Sequence, residues 1–169
     1  MERSKKPELL HLARILSDAA LPYAVIGGVT LQVHPAEPRT TLDIDVAVSD
    51  LSALPRSRLE AVGFRAVGRF PHSENWMGPD ATPLQFTDDP ALADAIARAE
   101  EVPLEGVRLR VLRRADLLHQ KLRAGSNPAL RRSRRLQDLA DAQALMESDP
   151  ALASELSAEE RALLDRLPQ

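Results

Sequence analysis

Apolar residues recur at three- and four-residue spacing near the start of the chain. Leu9, Leu12, Ala13, Leu16 and Ala20 share one face, and Arg14 and Asp18 take another. That period predicts a helix over 7–20, stopped by Pro22. Tyr23 to Ile26 is a short apolar strand broken by Gly27-Gly28, and Val29 to Val33 suits one or two helical turns. His34 to Arg39 holds two prolines and reads as a loop. From Thr41 to Val48 the period changes to two: Leu42, Ile44, Val46 and Val48 fall on one face, Asp43, Asp45 and Ala47 on the other.

The remaining elements follow from similar signals. Leu54 to Val62 is helical and ends at Gly63, Phe64 to Phe70 is a strand, and Asn75 to Thr87 is a hairpin turning at Gly78-Pro79-Asp80. Asp89 before Pro90 starts a helix running to about Ala99. Val107 to Leu112 alternates as a strand, Ala115 to Ala124 is helical, and Asn127-Pro128 opens a helix reaching about Glu147. Ser157 and Glu160 have capping-box spacing for a last short helix. The order predicts an α/β fold, a mixed sheet with flanking helices and a helical C-terminal segment. With 169 residues and no linker, one domain is expected over 1–169, its helical tail starting at about 115.

Composition narrows the chemistry. The chain is 44% apolar and 28% charged, and it holds no cysteine, which excludes disulfides, thiolate metal sites and cysteine nucleophiles. No uncharged apolar run is long enough to cross a membrane, and a cytoplasmic protein with no membrane partner is expected. One Trp, one Tyr and three Phe are too few for a stacking platform on single-stranded nucleic acid. The formal net charge of -3 hides an asymmetry. Between Arg108 and Arg135 stand ten basic residues and one acid, Asp116. Such a segment suits either an anionic partner or a solvated helical face.

Asp43 and Asp45 share a strand face about 6.6 Å apart along the backbone. Paired carboxylates repel unless a cation lies between them, and hard oxygen donors of this kind suit Mg²⁺. A solvated face carrying two acids explains the same pattern. Gly27-Gly28 permits close backbone approach and could present N–H groups to a phosphate. It lacks the residues of a Walker loop and the third glycine of a dinucleotide fingerprint.

Val25-Ile26-Gly27-Gly28-Val29, followed by Arg39-Thr40-Thr41-Leu42-Asp43-Ile44-Asp45-Val46, resembles the signature of the nucleotidyltransferase superfamily that includes polymerase beta. More narrowly, the chain is similar to minimal nucleotidyltransferases of the abortive-infection, type IV toxin–antitoxin kind. Asp116-Leu117-Leu118 with Lys121-Leu122 resembles that group's lysine-bearing helix, and Arg134-Arg135-Leu136-Gln137-Asp138-Leu139-Ala140-Asp141 its basic-Asp-x-x-Asp helix. The resemblance implies Mg²⁺ (or Mn²⁺) on Asp43 and Asp45, and a nucleoside triphosphate near Gly27 and Gly28. It gives Arg39 a bracing or phosphate role and sets Lys121 and Arg134 at the nucleotide. Lys121 would point into the Asp43–Asp45 cleft, with the arginines of 131–135 on its rim. Asp138 would be a base or an anchor, paired with a basic group, and Asp141 would brace its helix against the sheet. The acceptor would be a hydroxyl on RNA, protein or a small molecule, and the partner an antitoxin-like protein.

Two departures oppose an active enzyme. The family's third carboxylate belongs on the strand 83–87, where this chain has Gln85, and Gln137 stands where lysine is common. Asp80, Asp88 or Asp89 would have to substitute, and Asp89 is better explained as a cap. Two readings follow: a Mg²⁺-dependent nucleotidyltransferase, weak for want of that carboxylate, or a degenerate relative that binds nucleotide, RNA or a protein.

Overall fold

The computed structural model describes residues 5–33 and 42–166. In chain order it contains α1 (Lys6–Asp18), β1 (Tyr23–Ile26), α2 (Gly27–Val33), β2 (Ile44–Val48), α3 (Arg56–Ala61), β3 (Arg65–Phe70), β4 (Ser73–Met77), β5 (Pro83–Thr87), α4 (Ala93–Ala97), β6 (Glu100–Leu104), β7 (Val107–Val111), α5 (Arg114–Ser126), α6 (Arg132–Ser148) and α7 (Ala158–Asp165). The strands form one mixed sheet in the order β3-β4-β5-β2-β1-β7-β6. β2 runs parallel to β5, β1 runs parallel to β7, and the other pairs are antiparallel. The chain divides into two compact units, a sheet unit of 5–30 and 42–112 and a helical unit of 31–33 and 113–166. No helix among the described residues is long and apolar enough to cross a membrane.

Alternation places Ile44, Val46, Leu84, Phe86 and Trp76 in the core of the sheet unit. Trp76 meets Phe86 edge-on, with ring centroids 6.1 Å apart. Helix α1 adds Leu9, Leu12, Ala13 and Leu16. Ala20, expected on the same stripe, is exposed beyond the helix end with a positive φ of 52°. Leu42 also departs from expectation. It precedes β2 and is 77% exposed, so the alternating core face begins at Ile44.

Three elements differ from the sequence reading. The helix expected from Pro90 to Ala99 is a 3-10 turn and the short α4, followed by the unforeseen edge strand β6. β6 contains Pro103, which an edge strand tolerates because one side of its ladder is open. The helix expected from Asn127 begins at Arg132, because the Asn127 carboxamide accepts the Ala129 N–H (3.0 Å) and holds a separate turn. His72, with φ 59°, turns β3 into β4 as a further hairpin.

Two buried acids escaped the sequence reading. Glu8, 1% exposed, accepts the Asp80 N–H (2.9 Å) and lies against Gly78, clamping α1 to the β4–β5 turn. Glu74 sits on the core face of β4 and takes both terminal nitrogens of Arg56, at 2.7 and 2.6 Å. It also meets Arg69 at 3.1 Å and accepts the Trp76 indole N–H at 3.2 Å. The Arg56 guanidinium lies 5.9 Å from the Trp76 ring centre. Such a bidentate pair is strong because planar donors match planar acceptors.

The Arg56 hydrogen bonds hold the Glu74 carboxyl below the usual glutamate range, against burial, which pushes it up. Its stabilisation is therefore complete above about pH 4.3, where the unfolded carboxyl is ionised, and is lost as pH falls through the lower folded value. Denaturant melts from about pH 6 to pH 3 should show a steeper acid loss in the native protein than in Glu74→Gln. At neutral pH, Glu74→Ala should cost about 3 kcal/mol, since it strands a partly buried arginine.

Candidate functional site

The antiparallel pairing of β1 with β2 sets Ile26 opposite Asp45, one residue before Gly27. Gly27 has a φ of +68°, a conformation that suits glycine, and a Cβ built there would lie 2.5 Å from Asp45 Oδ2. The Asp45 carboxylate thus occupies space that any other residue at 27 would claim. Thr30 fixes the bend from the other side, its hydroxyl donating to the Val25 carbonyl at 2.9 Å. Both Gly27 and Gly28 are buried. What the glycine turn visibly supplies is room for a carboxylate.

Asp45 belongs to a row that crosses the sheet. In register it neighbours Gln85 of β5, which neighbours Asn75 of β4, which neighbours Gly68 of β3. The Gln85 amide donates to Asn75 Oδ1 at 3.2 Å. Asp43 precedes β2, two residues from Asp45, and both acids are half-buried. The place beside Asp45 where a third carboxylate would stand therefore holds a neutral amide. Among the described residues no group of three or more His, Asp or Glu converges on a common point.

The nearby acids have other duties. Asp88 pairs with His72 at 2.9 Å and accepts the Leu51 N–H at 3.4 Å. It lies three residues beyond Gln85, about 10 Å along the strand. Asp89 accepts the Ala91 N–H at 3.0 Å, as the cap expected of it. Asp80 sits in the β4–β5 turn and is exposed.

The helical unit holds the second set of candidates. Lys121, 4% exposed, bridges Asp138 Oδ1 at 2.8 Å and Asp141 Oδ2 at 2.7 Å. Arg134 donates to Asp138 Oδ2 at 3.2 Å, and Gln137 donates to Asp141 Oδ1 at 3.0 Å. The Lys121 ammonium is held between two carboxylates of α6. Asp138 takes basic partners from α5 and from its own helix. Asp141 braces α6 against α5 through the same lysine. Gln137 is a hydrogen-bond donor within this cluster. Arg39 and His34 lie outside the described residues.

Most of the basic segment is likewise engaged. Arg108 pairs with Glu101 at 3.0 Å, and Arg110 donates to the carbonyl oxygens of Tyr23 and Ile96. Arg114 donates to Ser148 Oγ at 2.6 Å. The arginines of 131–135 remain on the surface of α6, apart from half-buried Arg135.

No family model and no curated protein matches the chain. Solved structures do. A nucleotidyltransferase-like antigenic protein from Paracoccidioides brasiliensis superposes with a TM-score of 0.61 at 20% identity, covering 95% of this chain and 85% of its own. The chain has the nucleotidyltransferase fold. The antibiotic-resistance factor ANT(2'')-Ia matches at TM-score 0.62 and 13% identity over 96% of this chain and 91% of its own. A lincomycin-bound lincosamide adenylyltransferase, LnuA, matches at 0.58 and 11% over 85% and 99%. These structures belong to the polymerase-beta-like nucleotidyltransferase superfamily, and the mixed sheet with its helical segment is their shared architecture.

Two substitutions probe this geometry. Gly27→Ala forces a left-handed conformation on alanine and pushes Asp45 aside. Thermal or urea unfolding should show a loss of about 1–2 kcal/mol or more. Lys121→Met leaves two carboxylates facing each other in a buried site and should destabilise by about 3–5 kcal/mol in the same measurement.

Proposed function

We propose that the chain binds a nucleoside triphosphate together with one Mg²⁺ (or Mn²⁺) at Asp43 and Asp45, and that it transfers the nucleotidyl group slowly or not at all. The observation that carries this reading is the register of Gln85 beside Asp45. Two carboxylates with water and phosphate oxygens suffice for one Mg²⁺, which commonly takes one or two carboxylates plus substrate phosphates. The donor set fits: hard oxygens only, with room for the Asp45 carboxylate left by the bare Gly27 Cα. When bound, the ion neutralises phosphate charge.

Gln85 limits the reaction. Its amide can hydrogen-bond an incoming hydroxyl, but it neither takes a proton at pH 7 nor bridges two cations as a carboxylate does. In a two-metal displacement both the attacking and the leaving oxygen are stabilised, so loss of one side slows the step more than it weakens binding. The substrate class is an NTP with a hydroxyl acceptor on RNA, protein or a small molecule. The narrower abortive-infection reading, with an antitoxin-like partner, rests on the motifs around Lys121 and Asp138–Asp141.

Each radiolabelled NTP, with Mg²⁺ or Mn²⁺ and pooled RNA and protein acceptors, tests the proposal. Little label transfer is expected from the native protein, and a gain from Gln85→Asp. A nonhydrolysable triphosphate should still bind the native protein and bind Asp43→Ala/Asp45→Ala at least about tenfold more weakly. Robust transfer by the native protein, abolished in the double variant, would instead establish a fully active enzyme.

A further inference from the structure

The basic segment of the sequence suggested an anionic partner, and most of its members proved to be engaged within the fold. Arg135 makes no side-chain hydrogen bond or ion pair among the described residues. It is half-buried, and its Nε is buried with no hydrogen-bond partner among the described residues. A sequestered guanidinium nitrogen without an acceptor is costly, and the side chain that carries it lines a cleft where its charge can meet an anion.

Arg135 lines a cleft of about 570 Å³ that lies wholly within the helical unit. Its volume falls in the range of small-molecule sites. The apolar lining comes from Leu122, Leu139 and Leu163. α5 and α6 approach closely here, since a Cβ added at Gly125 would lie 2.5 Å from Leu139 Cδ2. Arg123 and Arg166 add positive charge to the same wall. Two acids also line the cleft, Glu159 and Glu160. Glu160 is committed elsewhere: it meets His119 Nδ1 at 2.7 Å and accepts the Ser157 N–H at 2.9 Å, which pins α7 as one side of the cleft. Three arginines against two acids leave the lining with a positive formal balance over an apolar floor.

We infer that this cleft is a binding site for a small amphiphilic anion, a phosphate monoester or carboxylate carried on an apolar or aromatic body, with Arg135 as its head-group ligand. Neither Asp43 nor Asp45 lines the cleft, and the proposal does not depend on the nucleotide reading. The apolar floor takes the body, and the guanidinium supplies charge-assisted hydrogen bonds to the head group.

The full-length protein, labelled with ¹⁵N, is titrated with four probes: phenyl phosphate, benzoate, inorganic phosphate and benzyl alcohol. Saturable shifts with phenyl phosphate or benzoate are expected at the amides of Leu122, Ser126, Leu139 and Leu163. Inorganic phosphate and benzyl alcohol, each lacking one half of the chemistry, should bind at least about tenfold more weakly. Arg135→Gln should lose the anion binding by a similar factor, whereas Arg108→Gln, on the sheet unit, should retain it. The shift map on the native protein decides the location even if Arg135→Gln folds poorly. No saturable shift with either aromatic anion, shifts mapping outside the cleft, or benzyl alcohol matching phenyl phosphate would overturn the assignment. So would unchanged binding in a folded Arg135→Gln. Finding that phenyl phosphate alone binds, or benzoate alone, identifies the head group within the proposed class.

Discussion

A carboxylate and a missing side chain share one small volume: Asp45 Oδ2 lies where residue 27 would carry its Cβ. The bare Cα leaves the acid its room where β1 ends, and the β1–β2 ladder sets Ile26 opposite it. Gly27 takes a positive φ to leave the strand, Thr30 secures the first turn of α2, and Ile26 opposite Asp45 sets the register. The row continuing through Gln85 and Asn75 follows from the same alignment. The donor set available to a cation is therefore decided by strand pairing. In register, that pairing sets one carboxylate, Asp45, beside one amide, Gln85.

Charge elsewhere is neutralised locally. In the sheet unit, Glu74 is clasped by Arg56 and Arg69 beside Trp76. In the helical unit, Lys121 joins α5 to α6 through Asp138 and Asp141. Buried charges of this kind are stable only as complete sets, because removing one member leaves the others desolvated and unpaired. A lysine in such a set holds two helices together and has little reason to leave them for a phosphate. Arg135 lies outside any such set among the described residues, which makes its cleft the natural place for an external anion.

The elements around the acids were legible because period two and a glycine break are strong local signals. Alternation predicts a strand over 41–48, and β2 forms over Ile44–Val48. The capping box at Ser157 and Glu160 was equally local, and it forms. Pairing was not legible. Nothing in the alternation of 83–87 says that Gln85 will neighbour Asp45; the family resemblance supplied that alignment. Glu8 and Glu74 were overlooked because acids default to the surface, and only tertiary partners reveal the exceptions. β6 hid behind two glutamates and Pro103, which look like a loop until an edge is available. The count of basic residues left two readings open for a related reason. It records charge and is blind to partners such as Glu101, Ser148 and the carbonyl oxygens that Arg110 reaches.

The cation stoichiometry of the nucleotide complex tests the account most directly. Mn²⁺ counted by electron paramagnetic resonance, with a saturating nonhydrolysable triphosphate, separates a two-carboxylate site from a complete two-metal centre. One protein-bound Mn²⁺ per chain, lost in Asp45→Ala, is the predicted result. Two Mn²⁺ per chain, or a Mn²⁺–triphosphate complex that survives Asp45→Ala unchanged, would contradict it.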